Sequence, residues 1–223
     1  MVDDKLVENI FGWIGLAIST YFYLSPVVPF LKVLKGEKYY KDAPCILLIC
    51  NLLNCIIWTD YGLLEDSLQL YLTCSIGATI TLIWVTIYLF FLSKRIFFLT
   101  LFLCILLLGV IVGIAYVFYD IIDFKITGYI ALVINILMLA APGEKIYTVF
   151  KTGNYELIPI FSTIGTLLCA GCWFMFGVYQ KDLNLYIPNG LGLIFGVFQL
   201  IVYCCYYHKS KQALPDDEND DVV

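Results

Sequence analysis

The 223 residues are 61% hydrophobic and 14% charged, with a formal net charge of −5 and a mean hydropathy of +0.89. That is more apolar side chain than one water-soluble core can bury, so a purely aqueous globular chain is excluded and lipid is the second solvent. The acidic balance says little about partners, because five of the eighteen acids sit in the C-terminal ALPDDENDDVV, which reads as a solvated, disordered end.

Seven apolar stretches follow in chain order, roughly Ile10–Val33, Ala43–Leu64, Leu68–Leu92, Ile96–Phe118, Gly128–Phe150, Leu157–Val178 and Leu185–Tyr207. Each has about the twenty residues a helix needs to cross the hydrocarbon. A spanning chain must pair its backbone internally, which makes these stretches helices. Asp3 and Asp4 spoil the basic start of a secretory signal, so the first stretch reads as a retained helix. Alternate connections carry Lys32, Lys35, Lys38, Lys41, Lys94, Arg95, Lys145, Lys151, Lys209 and Lys211 on one side, against Lys5, Lys125 and Lys181 on the other. This bias predicts an outside N-terminus and a cytosolic C-terminus. The plasma membrane is the expected location, with an endomembrane as the alternative.

Trp58-Thr-Asp-Tyr-Gly62 and Trp173-Phe-Met-Phe-Gly177 write the same Trp-x-x-aromatic-Gly twice, 115 positions apart. The offset is not confined to them. Shifted by 116, Gly12 falls on Gly128, Pro26 on Pro142, Val33 on Val149 and Lys35 on Lys151. Shifted by 115, Pro44 meets Pro159, Gly77 meets Gly192, Tyr88 meets Tyr203 and Lys94 meets Lys209. An offset shared across three helices predicts an all-α membrane protein of seven transmembrane helices, two three-helix repeats joined by a linker helix. The expected boundaries are 8–94, a linker over 95–120, 124–209 and a cytosolic tail over 210–223. One linking helix leaves the repeats parallel, related by an axis along the membrane normal. Pro26, Pro44, Pro142 and Pro159 occupy matched positions and read as hinges at the interface between repeats, since an interior Pro removes a helix hydrogen bond.

SPVVPF, NCIIWTDYG, the four matched prolines and WFMFGVYQKDLNLYIPNGLG resemble the SWEET sugar facilitators over about residues 8–209. The resemblance implies bidirectional uniport of a sugar by alternating access, with no cofactor and no catalysis. It further implies a pocket built on a Trp pair and an Asn pair, with hinges at the four prolines. The Trp pair is Trp58 and Trp173, and one Asn is Asn189. The register that leads from Gly192 back to Asn189 leads from Gly77 to Cys74, where the family pattern has its second Asn. Asp182 matches the acidic residue of the family's extracellular gate, whose aromatic partner would fall at Ile57.

Spacing adds further candidates. Asn54 and Trp58 are i, i+4 and share a helix face, as do Cys169 and Trp173. Ser19, Phe22 and Pro26 form a stripe mirrored by Asn135, Met138 and Pro142. Aromatic faces suit the C–H surfaces of a sugar, and amides both donate to and accept from hydroxyls. Asn54 and Asn135 are equally readable as glue between helices. The bulk of Phe22 and Met138 predicts hexose over disaccharide. Cys169 and Cys172 form a CxxC that reads as small-residue packing within an apolar helix. Asp60 reads as a vestibule residue near the outer end, Glu144 and Lys145 as lining the cytosolic mouth, and His208 as lying at the cytosolic exit. No paired carboxylates, activated nucleophile or phosphate loop points to an enzyme, and nothing points to nucleic acid. The expected partners are a small sugar and the bilayer, with homo-oligomerisation open. A carrier of another solute with the same repeat, and a seven-helix receptor, are the alternatives.

Overall fold

The computed structural model describes residues 3–27, 31, 45–90, 98, 102, 125–138 and 140–212, and every regular element among them is helical. In order they are α1 (Asp4–Leu24), α2 (Cys45–Leu64), α3 (Leu68–Phe90), α4 (Lys125–Met138), α5 (Ala140–Thr152), a 3-10 turn (Tyr155–Leu157), α6 (Ile160–Gln180) and α7 (Leu183–Gln212). The expected linker, Pro44 and nearly all of the acidic tail lie outside the described residues. By length and composition three described helices can cross a membrane, Leu68–Ile87, Ile160–Gln180 and Leu183–Gln212, and Leu48–Leu64 is a shorter apolar helix.

Local chemistry explains where the helices begin and end. Asp3 caps α1 by accepting the Lys5 backbone N–H at 3.1 Å, and Asp4 places a negative charge in the first turn, where the helix dipole favours it. Pro26 follows the last turn of α1, and Pro159 directly precedes the first residue of α6. Pro26 thus sits in a two-residue turn after which Val27 is helical again, a break in the first helical stretch, whereas Pro159 marks a helix start, where a missing N–H costs little. Pro142 falls in the first turn of α5. Among the described residues, the Pro inside a long helix is Pro188 in α7, which lies outside the four matched positions.

The helices close into a ring. α3 packs between α1 and α2, and α7 packs between α4/α5 and α6. The two triplets then meet through α1 against α6 and α2 against α4. Going round, the order is α1, α3, α2, α4, α7, α6, and rotating by half a turn exchanges the two triplets.

The same symmetry holds for individual residues. The α2–α3 and α6–α7 turns each carry a non-glycine residue in left-handed backbone, Asp66 (φ 50°) and Lys181 (φ 59°). Each is followed by a backbone N–H returning to a motif glycine: Ser67 N to Gly62 O and Asp182 N to Gly177 O, both 2.9 Å. This is the Schellman closure of a helix.

Candidate substrate site

The repeated motif does one job twice. Trp58 lies edge-on to Tyr61 (centroids 5.4 Å, 88°), and Trp173 lies edge-on to Phe176 (5.3 Å, 82°). All four are buried in one cluster with Ile57, Leu70, Cys74, Ala131 and Leu185. The glycine that ends each motif lets the next helix approach. A Cβ on Gly62 would lie 2.8 Å from the Tyr71 backbone nitrogen, and one on Gly177 2.8 Å from that of Tyr186. Each motif aromatic also seats on a glycine of the opposite half. A Cβ at Gly12 would lie 2.8 Å from the Phe176 ring, and one at Gly128 would lie 2.7 Å from the Tyr61 ring. The helix pairs that join the halves thus interlock by ring and glycine.

Around the tryptophans the symmetry of polar partners breaks. The Trp173 indole N–H donates to Ser19 Oγ at 3.0 Å, and Ser19 Oγ lies 3.3 Å from Cys169 Sγ. In the other half the residues matching Ser19 and Cys169 are Asn135 and Asn54. There the Trp58 indole N–H and Asn54 Oδ1 are both buried without a hydrogen-bond partner among the described residues. A buried polar group without a partner costs about 1–3 kcal/mol. Four residues apart on one helical face, the two present a free donor beside a free acceptor. A single hydroxyl can satisfy both, accepting from the indole and donating to the amide carbonyl.

Across the ring stands Asn189 on α7. Its amide donates to Leu185 O at 2.8 Å, leaving a second N–H and the carbonyl oxygen for another partner. Cys74 is buried on α3, the wall opposite α7. Phe22 rests on α6, where a Cβ at Gly165 would touch its ring at 3.3 Å or less. The neighbouring Tyr23, which lies off the Ser19–Phe22–Pro26 stripe, presses its ring onto Gly77 beside Cys55 and so reaches the face of α3 that carries Cys74. Asn135 and Met138 are half-buried on α4. Asp60, Glu144, Lys145 and His208 are exposed.

Hydrogen bonds between the halves hold the end of the ring that bears the N-terminus. Tyr61 donates to Asp182 Oδ2 (3.0 Å) and accepts from Asn184 Nδ2 (3.2 Å), while Asp182 Oδ1 caps α7 by accepting the Asn184 backbone N–H (2.9 Å). Gln180 donates across to Glu8 (3.1 Å) and to Ser67 (3.2 Å), and within the first half Gln69 donates to Asn9 (2.6 Å). The aromatic partner of Asp182 is therefore Tyr61, one helical turn beyond Ile57, which is itself buried in the cluster. Burial raises the Asp182 carboxyl above the ordinary carboxylate range, outweighing the hydrogen bonds from Tyr61 and the backbone that lower it. Glu65 is raised by its own burial and then by the nearby charge of Asp182.

A model of the family described as sugar efflux transporters for intercellular exchange matches residues 9–96 and 125–211. The chain belongs to this family, the SWEET transporters. It is 30% identical over 218 residues to the bidirectional sugar transporter SWEET7b of Oryza sativa subsp. japonica, covering 93% of this chain and 81% of that protein. It is likewise 30% identical over 215 residues to SWEET16 of Arabidopsis thaliana, covering 93% and 92%. The 3.7 Å structure of a eukaryotic SWEET transporter superposes with a TM-score of 0.81 at 26% identity, covering 92% of this chain and 99% of that one. The fold is accordingly the seven-helix SWEET arrangement of two parallel three-helix repeats and a linker, a transporter rather than an enzyme.

Proposed function

We propose that this SWEET chain is a bidirectional uniporter of hexoses such as glucose, working by alternating access around the Trp58–Trp173 level. The observation that carries the reading is the unsatisfied pair Trp58 Nε1 and Asn54 Oδ1 on one face of α2. A pyranose offers hydroxyls to this pair and to Asn189, and C–H faces to the indoles. The bulk of Phe22, whose ring rests on Gly165, and of Met138 favours a single sugar ring over two. The N-terminal end, tied by Tyr61–Asp182 and Gln180–Ser67, is the extracellular gate, drawn closed. The two matched proline pairs, Pro26 with Pro142 and Pro44 with Pro159, let the helices pivot, Pro26 just after α1 and Pro159 just before α6. The lysine bias of the loops supports a cytosolic opposite end.

The test is labelled flux into proteoliposomes. Glucose equilibrates in both directions without a proton gradient and faster than sucrose, and no proton current accompanies it. Trp58→Phe keeps a six-membered aromatic face and removes the indole N–H along with the pyrrole part of the indole. It raises the half-saturation concentration roughly three- to tenfold, the worth of one hydrogen bond of about 0.5–1.5 kcal/mol. A proton current stoichiometric with sugar overturns uniport. An unaltered half-saturation in Trp58→Phe overturns the hydroxyl site.

The extracellular gate is also expected to sense pH. A carboxyl raised by burial binds its proton more tightly in the closed state than after opening hydrates it, so by linkage acid favours closure and alkali favours opening. Lowering external pH from neutral toward the raised value therefore slows glucose entry. Asp182→Asn removes the titrating group and flattens that profile. A profile in Asp182→Asn as steep as that of the native chain assigns the effect elsewhere.

A further inference from the structure

α7 is longer than a membrane crossing requires. Its 30 residues span roughly 45 Å at about 1.5 Å each, against a hydrocarbon of about 30 Å. Counting some twenty residues from Leu185, which is buried beside the Tyr61–Asp182 network, reaches Cys204 and Cys205. Independent marks place the interface at this level. Tyr155 lies edge-on to both Tyr203 and Tyr207, with centroids at 5.4 Å in each case, and these two stack at 6.0 Å. The Lys151 ammonium lies 4.6 Å over the Tyr147 ring, and that of Lys211 5.2 Å over Tyr207. Rings and amines grouped in this way are the aromatic and cationic belt of a membrane boundary.

The two thiols are also on the correct face. Val202 is buried with Ile146, Val149 and Ile158, and Tyr203 and Tyr206 pack against them, so this side of α7 holds α5 and the turn before α6. The opposite stripe is Ile194, Val197 and Ile201, all exposed at the three- and four-residue spacing of a helix face. Cys204, Cys205 and His208 continue it. Cys204 and Cys205 are free and exposed, whereas Cys55, Cys74 and Cys172 are buried. Lys209 and Lys211 follow within two turns and suit anionic headgroups.

We propose that Cys204 and Cys205 form a site of reversible S-acylation, taking long-chain acyl groups from acyl-CoA through a membrane-bound acyltransferase. The cysteine sulfur attacks the thioester carbonyl and a new C–S bond forms. The bond to coenzyme A breaks, and coenzyme A leaves as a thiol carrying the proton lost by cysteine, with no change of oxidation state. An adjacent pair of juxtamembrane thiols on a lipid-facing stripe lets each chain enter the hydrocarbon beside the helix that bears it. The inference rests on the cytosolic placement of this end of α7 argued under Proposed function, because acyl-CoA is supplied there.

The test uses the full chain expressed in eukaryotic cells. Free thiols are blocked, thioesters are cleaved with hydroxylamine, and the released thiols are tagged with a polyethylene glycol maleimide. The native chain gains one or two tags that depend on hydroxylamine, each single serine variant keeps at most one, and Cys204→Ser/Cys205→Ser gains none while its glucose flux is unchanged. Tags that persist in the double variant, or a native chain that gains none, overturn the site. A membrane-impermeant maleimide separates this failure from a failure of orientation. If it tags these two thiols on intact cells, the cytosolic placement falls and the acylation site with it. If it reaches them only after permeabilisation and no thioester is found, the acylation alone is wrong and the transport reading stands.

Discussion

Asn189→Ala is expected to remove most glucose flux at equal surface expression, while Cys74→Ala costs only a few-fold. The Asn189 amide is held by its bond to Leu185 O at 2.8 Å, which fixes the plane of the group and aims its remaining N–H and carbonyl. Truncation removes a bond of about 0.5–1.5 kcal/mol and strands a desolvated sugar hydroxyl at a further 1–3 kcal/mol or so. Together these reduce transport by a factor of roughly ten to a thousand. A thiol offers only a weak donor and a weak acceptor in place of two donors and a carbonyl, so Cys74 has less to lose. Cys74→Asn is expected to be tolerated. Cys74 is 7% exposed in this closed arrangement, so a small thiol reagent reaches it only when the ring opens, and saturating glucose slows the reaction. Normal flux in Asn189→Ala, measured beside Cys74→Ala at matched expression, removes both residues from the sugar site.

The features legible in the sequence are those that depend on spacing along one helix. The offsets of 115 and 116 place Gly12 against Gly128 and Trp58 against Trp173, and the ring arrangement follows the same pairing. Features that depend on the rotation of one helix against another were hidden. Ile57 and Tyr61 lie on the same face of α2, and only the docking of α7 selects Tyr61 as the partner of Asp182. Glycine is the usual sign of a left-handed helix end, so Asp66 and Lys181 masked two such turns. The unequal polar environments of the tryptophans were partly visible, since Ser19 aligns with Asn135 and Cys169 with Asn54. That Ser19 would satisfy Trp173 while Trp58 stayed open depends on how one helix docks on another, which spacing along a single helix does not fix. The offsets pair Pro26 with Pro142 and Pro44 with Pro159, but spacing alone does not separate a break inside a helix from a helix start.

The interlock of ring and glycine between the halves leads to the last expectation. At Gly12 a Cβ would lie 2.8 Å from Phe176 Cε2 and 2.9 Å from Gln69 Cγ, closer than real Cβ contacts come. Gly12→Val therefore disfavours the closed N-terminal end, the extracellular gate of the proposed reading, by about 1–3 kcal/mol of overpacking, and under alternating access, which requires that end to close, flux falls roughly five- to 150-fold. Phe176→Leu in the same chain makes room and restores much of the flux, a coupling that a double-mutant cycle measures directly. At the symmetry-related site, Gly128→Val meets Tyr61 and Asn184. Tyr61→Leu relieves only one of these two contacts, leaves Asn184 against the new side chain and removes the hydroxyl that joins Asp182 to Asn184, so this rescue stays incomplete. Thermal melting and surface expression separate a closing defect from misfolding, because only the former leaves both intact. Rescue equally complete at both sites would mean that the Tyr61–Asp182 bond contributes nothing to closure. No rescue at Gly12 would mean that the contact of ring on glycine is not what closes the extracellular end.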